Sequence, residues 1–256
     1  MWEPEIEFVN EEHRKIYGQT KDIPGWQAPG DTERLYEMGY KSGDVILEIG
    51  TYAGKSATVE LRGALANPQR SAPLYFGIDI NPVGVVRTLT NLQAQNLFEH
   101  ALVFHHDLEQ FTSEFDIQPT MVFLDGDHRY DGVKKDLEIL KSFLVPDVPV
   151  LCHDYTNAQN DTGELGVRRA VDEFVAEGWA RFVGTNGCSA FLVTTEKCTG
   201  ANRSPWTKEQ FDARKTELAW PCSIQLYRQL EYRENELKAL KKELEQASAA
   251  AMSPVG

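Results

Sequence analysis

The chain has 256 residues, with 26 Lys and Arg against 39 Asp and Glu, so its formal net charge is −13 at pH 7. An apolar content of 41% beside 25% charged residues is that of an ordinary globular protein and excludes a disordered chain. So acidic a chain lacks the basic footprint of nonspecific nucleic-acid binding, and no apolar stretch approaches the roughly 18 residues of a membrane span.

The N-terminus, MWEPEIEFVNEEH, is acidic and carries no apolar leader segment. Residues 1–42 are polar, with loop markers at Pro24-Gly25, Pro29-Gly30 and Ser42-Gly43. Asp31 is the expected N-cap of a short helix running to Met38, and Trp26 and Gln27 are candidates for a lid. A regular alternation then begins at residue 43. The first strand is Asp44 to Gly50, with a helix from Lys55 to Ala66. Leu74 to Asp79 is the second strand, followed by a helix that Pro82 opens and that reaches Asn96. The third is Ala101 to His105, and the fourth, Met121 to Asp125, leads into a helix with Val133, Leu137, Leu140 and Leu144 on one face. Val148 to Cys152 is the fifth, its helix marked by Val167, Ala170, Val171, Phe174 and Val175. Ala180 to Gly184 and Ser189 to Val193 read as a closing hairpin turned at Thr-Asn-Gly, residues 185–187. Five βα units and a hairpin predict an α/β fold, a doubly wound, mostly parallel seven-stranded sheet with helices on both faces.

From residue 196 the chain changes character. Residues 196–222 are irregular, with Trp206 and Trp220 as docking aromatics. From Ser223 to Ala247 it reads as one charged helix, a C-terminal extension whose Leu226, Leu230, Leu237, Leu240 and Leu244 follow spacings of 4, 7, 3 and 4. That stripe fits either a short coiled coil, and so a homodimer, or a helix packed on its own domain. The expected units are thus an N-terminal segment 1–42, a core 43–195 and the extension 196–256. Cys152, Cys188, Cys198 and Cys222 form no CxxC pair, so a reduced, cytoplasmic protein is expected, and Cys152 belongs to the core.

Ligands of such sheets bind beyond the carboxyl ends of the strands. Asp79, Asp107, Asp125 and Asp154 end or follow four of the first five strands, and Glu48 precedes the first turn. Any one of them reads as a helix cap. Five like charges on one edge repel, which a hydroxylated, positively charged ligand or a metal would relieve. The first turn is Glu48-Ile-Gly50-Thr51-Tyr52-Ala-Gly54-Lys-Ser56. It is not the dinucleotide GxGxxG, because residue 52 is Tyr, and it is one residue too short for a Walker A loop.

An acidic-x-Gly-x-x-x-Gly turn of this kind resembles that of class I S-adenosylmethionine-dependent methyltransferases. The resemblance runs from Val45 to Val193 and implies the strand order 3-2-1-4-5-7-6. It implies cofactor contacts from Glu48, Gly50, Thr51, Tyr52, Gly54, Ser56, Asp79, Asp107, Leu108 and Asp125, with Asp79 on the ribose hydroxyls and Asp107 and Leu108 by the adenine. The run Phe123-Leu-Asp125-Gly-Asp127-His128-Arg-Tyr130-Asp131-Gly-Val, with Cys152-His153-Asp154-Tyr155, is similar to a subgroup holding macrocin-type sugar O-methyltransferases and proteins labelled cephalosporin hydroxylase. Its members use a divalent cation, usually Mg2+. Carried over, the ligands are Asp125 and Asp154, with His153 where relatives have a second carboxylate, a departure that leaves two readings: a histidine ligand, which suits manganese, iron or zinc better than magnesium, or a histidine that does not ligate at all.

The resemblance implies Asp127 or His128 as the general base, imidazole having the ordinary pKa nearer neutrality, and the other reading of either residue is a cap on the helix that begins near Tyr130. His105 and His106 read as packing or capping residues, and Arg168 and Arg169 as solvated or ion-paired. The acceptor is a hydroxyl of a small molecule, a sugar or glycosylated natural product, and neither nucleic acid nor membrane is an expected partner. Other readings stay open: the same cofactor without a metal, a non-catalytic docking protein built on the C-terminal helix, or a nicotinamide dehydrogenase, which the missing GxGxxG disfavours.

Overall fold

The computed structural model describes residues 2–70, 72–200, 206–217, 232–233, 235–242 and 244. Trp220, Cys222, Leu226 and Leu230 lie outside them.

Helices α1 (Glu11–Gln19) and α2 (Pro29–Ser42) precede β1 (Val45–Ile49). There follow α3 (Lys55–Ala66), β2 (Leu74–Asp79), α4 (Pro82–Ala94), a 3-10 turn at Phe98–His100 and β3 (Ala101–His105). Next come α5 (Leu108–Glu114), β4 (Met121–Leu124), α6 (Tyr130–Phe143), β5 (Pro149–Cys152), α7 (Gln159–Thr162) and α8 (Val167–Ala176). The hairpin β6 (Ala180–Asn186) and β7 (Ser189–Thr194) is followed by α9 (Lys208–Glu217).

The sheet order is β3-β2-β1-β4-β5-β7-β6, as expected. β1 to β5 pair in parallel, and β7 runs antiparallel to both β5 and β6. Every residue of β1, β4 and β5 is buried, which is why these strands are apolar, Glu48 apart, rather than alternating. Helices α1 to α4 pack in succession on one face, and α5, α6 and α8 on the other. Trp206 and Phe211 edge onto Phe76 at 5.4 and 5.5 Å, so the start of the tail docks on the core as predicted. Leu237, Leu240 and Leu244 instead stand exposed. Among the described residues, no helix is long and apolar enough to cross a membrane.

Two local expectations fail. Asp31 is not the N-cap of α2: Ala28 is, and Asp31 lies one turn inside, fully buried. Its carboxylate accepts from Ala28 N at 2.7 Å, but also from Cys188 N, Ser189 N and Ser189 Oγ at 3.0, 3.1 and 2.6 Å, tying the helix to the hairpin. The hairpin turn, in turn, is not Thr185-Asn186-Gly187. Thr185 and Asn186 stay in the ladder opposite Ala190 and Ser189, and the loop is Gly187-Cys188, with Gly187 at φ +59° against the Asp31 carboxylate. The buried acceptor shifts the turn by offering partners to the two amides that leave it.

Candidate active site

The ladder carries β1, β4 and β5 to one edge in register: Asp125 N donates to Ile49 O (2.8 Å) and His153 N to Leu124 O (3.0 Å). Gly50 turns the chain away from β1 at φ +91°, and a Cβ there would lie 2.1 Å from Asp125 O, so only glycine fits. Tyr52 and Asp154 also adopt positive φ, +45° and +60°, conformations that cost a non-glycine residue about 1–3 kcal/mol and that cluster at functional sites.

Above this edge lies a cavity of about 1090 Å³. Of the predicted residues, Gly50, Thr51, Tyr52, Ser56, Asp79, Asp107, Leu108, Asp125, Asp127, His128, His153 and Asp154 line it, as do the exposed Trp26 and the buried Gln27. Glu48 and Gly54 do not. Glu48 is wholly buried under the turn, where it accepts from Ser56 Oγ and, at 2.5 Å, from Tyr75 Oη. Burial pushes its carboxyl up to about 8.

At the β2 end, Asp79 Oδ2 accepts from Tyr52 N (2.8 Å) and Oδ1 from Asn81 N (2.7 Å). Two backbone amides therefore orient this carboxylate and leave lone pairs for a ligand. Asp107 caps α5 by accepting from Gln110 N at 2.8 Å, so here the capping reading is realised, though the residue still lines the cavity. His105 binds Ile80 O, and Arg168 and Arg169 pair with Asp161 and Glu173, as expected. Cys152 is core, its thiol pushed by burial to about 12.

The β4 and β5 ends bring a second cluster together. Asp125 Oδ1 lies 3.1 Å from His128 Nε2 and 3.0 Å from His153 Nδ1. Asp154 Oδ2 is 3.4 Å from His128 Nδ1 and 3.8 Å from His153 Nδ1. Burial opposes ionisation of Asp125, yet the two rings hold its carboxyl below the ordinary range, and its hydrogen bond in turn raises His128. This corner thus favours a positive charge beside Asp125. Asp127 is used differently: Arg129 holds it through N, Nε and Nη2 at 2.9, 3.0 and 2.6 Å and lowers its pKa. Of the two candidate bases, His128 is the one beside Asp125 and Asp154.

The donor set fits a divalent cation. His153 Nδ1 is buried 3.0 Å from Asp125 Oδ1, a nitrogen and an oxygen donor side by side. Ligand atoms of Asp125, His128 and His153 all lie within 4.8 Å of one another. A second such group, Asp31, His153 and Cys188, escaped the sequence reading because Asp31 and Cys188 sit far apart in the chain, one in α2 and one in the closing hairpin. Lys55 was missed too: it lines the cavity from the residue after Gly54, and burial depresses its ammonium.

Residues 47–155 match a family profile described as a methyltransferase domain. No curated protein matches the chain. Among solved structures, it is similar to the O-methyltransferase of Bacillus cereus in complex with S-adenosylhomocysteine, at 16% identity and a TM-score of 0.56, over 73% of this chain and 92% of that one. It is also similar to TomG of Streptomyces achromogenes, an O-methyltransferase of tomaymycin synthesis in complex with S-adenosylmethionine, at 13% identity, a TM-score of 0.53 and coverages of 73% and 91%. The S-adenosylhomocysteine-bound methyltransferase PaMTH1 of Podospora anserina gives 12%, 0.56, 73% and 88%. At these identities the likeness is one of fold: the sheet and its order are those of methyltransferases.

Proposed function

We propose that this methyltransferase domain takes its methyl group from S-adenosylmethionine and transfers it to a hydroxyl of a small molecule, a sugar or glycosylated natural product presenting a vicinal diol, with a divalent cation at Asp125 and Asp154. One observation carries the reading: the oriented carboxylate of Asp79, the Gly50 turn and the Asp125–His128–His153–Asp154 cluster all open into a single cavity. Two ends of one space suit a donor and an acceptor held in line.

When bound, the donor supplies an electrophilic methyl carbon, and the cation would polarise the acceptor oxygens. The chain's own residues do the rest. Asp79 accepts the ribose hydroxyls, held for this by Tyr52 N and Asn81 N. Gly50 lets the backbone approach the cofactor without a Cβ in the way, and Leu108 with Asp107 flanks the adenine. Trp26, 78% exposed and 5.0 Å from the Tyr52 ring, closes over the cofactor. His128 donates from Nε2 to Asp125 and takes the acceptor's proton at Nδ1, where Asp154 Oδ2 at 3.4 Å stabilises the resulting charge. Alignment of oxygen, methyl carbon and sulfur supplies several kcal/mol of the acceleration. Three unpaired cysteines, Cys152, Cys188 and Cys198, support a reducing, cytoplasmic setting. The exposed Leu237, Leu240 and Leu244 support pairing of two copies through the C-terminal helix.

Calorimetric titration of S-adenosylhomocysteine tests the cofactor. Micromolar binding is expected with or without EDTA, weakened at least about tenfold in Asp79→Ala. Absence of binding to the intact protein overturns the reading. Methyl transfer to a diol acceptor that survives chelation removes the cation from it.

A further inference from the structure

Three lysine or arginine side chains line the acidic cavity: Lys55, Arg129 and Lys135. Arg129 is paired with Asp127 at 2.6 Å, and Lys135 with Asp107 and Glu109 at 3.4 and 2.8 Å. Lys55 alone makes neither an ion pair nor a hydrogen bond among the described residues; its ammonium lies 5.3 Å from the centre of the Tyr17 ring. The residue is only 6% exposed, and burial depresses its pKa against the pull of the Asp31 carboxylate. A buried ammonium without a partner costs the folded chain stability, and a ligand that brings the counter-charge accounts for its presence. Gln27 stands beside it, 9% exposed and on the same cavity, its Oε1 buried with no hydrogen-bond partner. Gly25 joins the two, since a Cβ there would lie 2.9 Å from Gln27 Oε1 and 3.0 Å from Lys55 Cδ. A free cation and a free acceptor at one point match a ligand that offers an anion and a hydrogen-bond donor side by side. The Lys55 side chain runs past Gly25 to Tyr17 of α1, within the field of Asp31 of α2. Asp31 in turn holds Cys188, whose Sγ is 3.1 Å from His153 Nε2. These contacts lead to the β5 end of the cavity and away from Asp79 at the β2 end.

We infer that Lys55 and Gln27 form a subsite for a carboxylate of the methyl acceptor, Lys55 pairing with the carboxylate and Gln27 accepting from the hydroxyl next to it, so that the substrate is a polyhydroxylated acid of the hexuronate class rather than a neutral sugar. The inference rests on the reading above and adds the charge of the acceptor. A cavity rich in carboxylates repels an acid unless a cation is kept for it, and Lys55 is the one not already paired. Gln27 holds a hydroxyl without adding a further negative charge. The remaining hydroxyls of such a ring supply the vicinal diol.

D-glucuronate and D-glucuronamide are the probes, since they differ only in carboxylate against amide. Each is titrated into the full chain saturated with S-adenosylhomocysteine in the presence of Mg2+, and binding is read by saturation-transfer NMR. The parent is expected to hold glucuronate at least about tenfold more tightly than the amide. Lys55→Met removes this preference, Lys55→Arg retains most of it, and Gln27→Leu weakens both sugars a few-fold. Without ligands, Lys55→Met melts no lower than the parent, because the ammonium it loses has no partner. The amino-acid end of the cofactor presents the same two chemistries, so affinities are also measured for S-adenosylhomocysteine and for 5′-methylthioadenosine, which lacks that end. Lys55→Met is expected to change both by less than about twofold. Loss of S-adenosylhomocysteine affinity alone assigns Lys55 to the cofactor and overturns the inference. No binding of glucuronate, equal binding of the two sugars, Gln27→Leu binding both like the parent, or a Lys55→Met protein that melts several degrees lower also overturns it, with the methyltransferase reading left in place. Absence of S-adenosylhomocysteine binding to the parent overturns that reading and this inference with it.

Discussion

Glu48 and Glu60 meet in the interior, both without solvent exposure, and neither carboxylate oxygen of Glu60 has a hydrogen-bond partner. Burial raises both groups, Glu48 to about 8 and Glu60 well above the ordinary carboxylate range, the charge of Glu48 adding to the effect on Glu60. A carboxyl whose folded pKa lies above its unfolded one favours the folded state fully below about 4.5 and loses that contribution as pH rises toward the folded value. Unfolding temperature is therefore expected to fall between pH 5 and 8. Glu60→Gln keeps the shape and cannot ionise, so it should match the parent near pH 5 and exceed it by about 2–4 °C at pH 8, the equivalent of ~1 kcal/mol in a chain of this size. Thermal melts of the two proteins at both pH values check this, and equal slopes would refute it. Taking the difference removes the other carboxylates, such as Asp136, which burial lifts to about 6. Nothing at Glu60 in the sequence marks it as buried beside Glu48; the strand-end aspartates were legible because their position follows from the βα alternation alone.

At the scale of elements, the strands were readable because burial on both faces leaves a nearly unbroken apolar run, and the long helices because one face is apolar. Short or polar helices were not. In α1 only His13 and Ile16 are buried, so there is no stripe to find, and α5 has a single turn of signal in Leu108 and Phe111. The role of Asp31 was invisible for another reason: its partners Cys188 and Ser189 are 157 and 158 residues away. Two glycines separate these cases experimentally. Gly18, inside α1, would place a Cβ in open space, so Gly18→Ala should stabilise by about 0.4–1 kcal/mol through the unfolded state. Gly30, in the first turn of α2, would place its Cβ 2.4 Å from Gly187 N. Gly30→Ala must push the helix off the hairpin that it clamps, at about 1–3 kcal/mol, and the melting temperature should drop by roughly 2–12 °C. Similar shifts in the two variants would mean that α2 and the hairpin are not joined as described.

For the molecule as a whole, the net charge is −13, and the sheet edge shares in that excess: Asp79, Asp107, Asp125, Asp127, Asp136 and Asp154 face one cavity against Lys55, Arg129 and Lys135. A fold stabilised elsewhere tolerates such crowding where a cationic ligand relieves it. The two forms of the proposed cofactor measure that field. S-adenosylmethionine carries a sulfonium and a net charge of about +1, whereas S-adenosylhomocysteine, otherwise nearly the same shape, carries none. The acidic cavity should therefore hold the donor more tightly than the product by an electrostatic margin that salt screens. Raising ionic strength from about 0.02 M to about 0.5 M shortens the Debye length from more than 20 Å to under 5 Å. Donor affinity should then weaken a few-fold while product affinity barely moves, an asymmetry that titration of both ligands at the two salt concentrations reads directly. Product release after each turnover is favoured for the same reason, since loss of the methyl group removes the charge that the aspartates attract. Parallel salt dependence of the two ligands would show that the acidic edge acts on the acceptor and the cation alone.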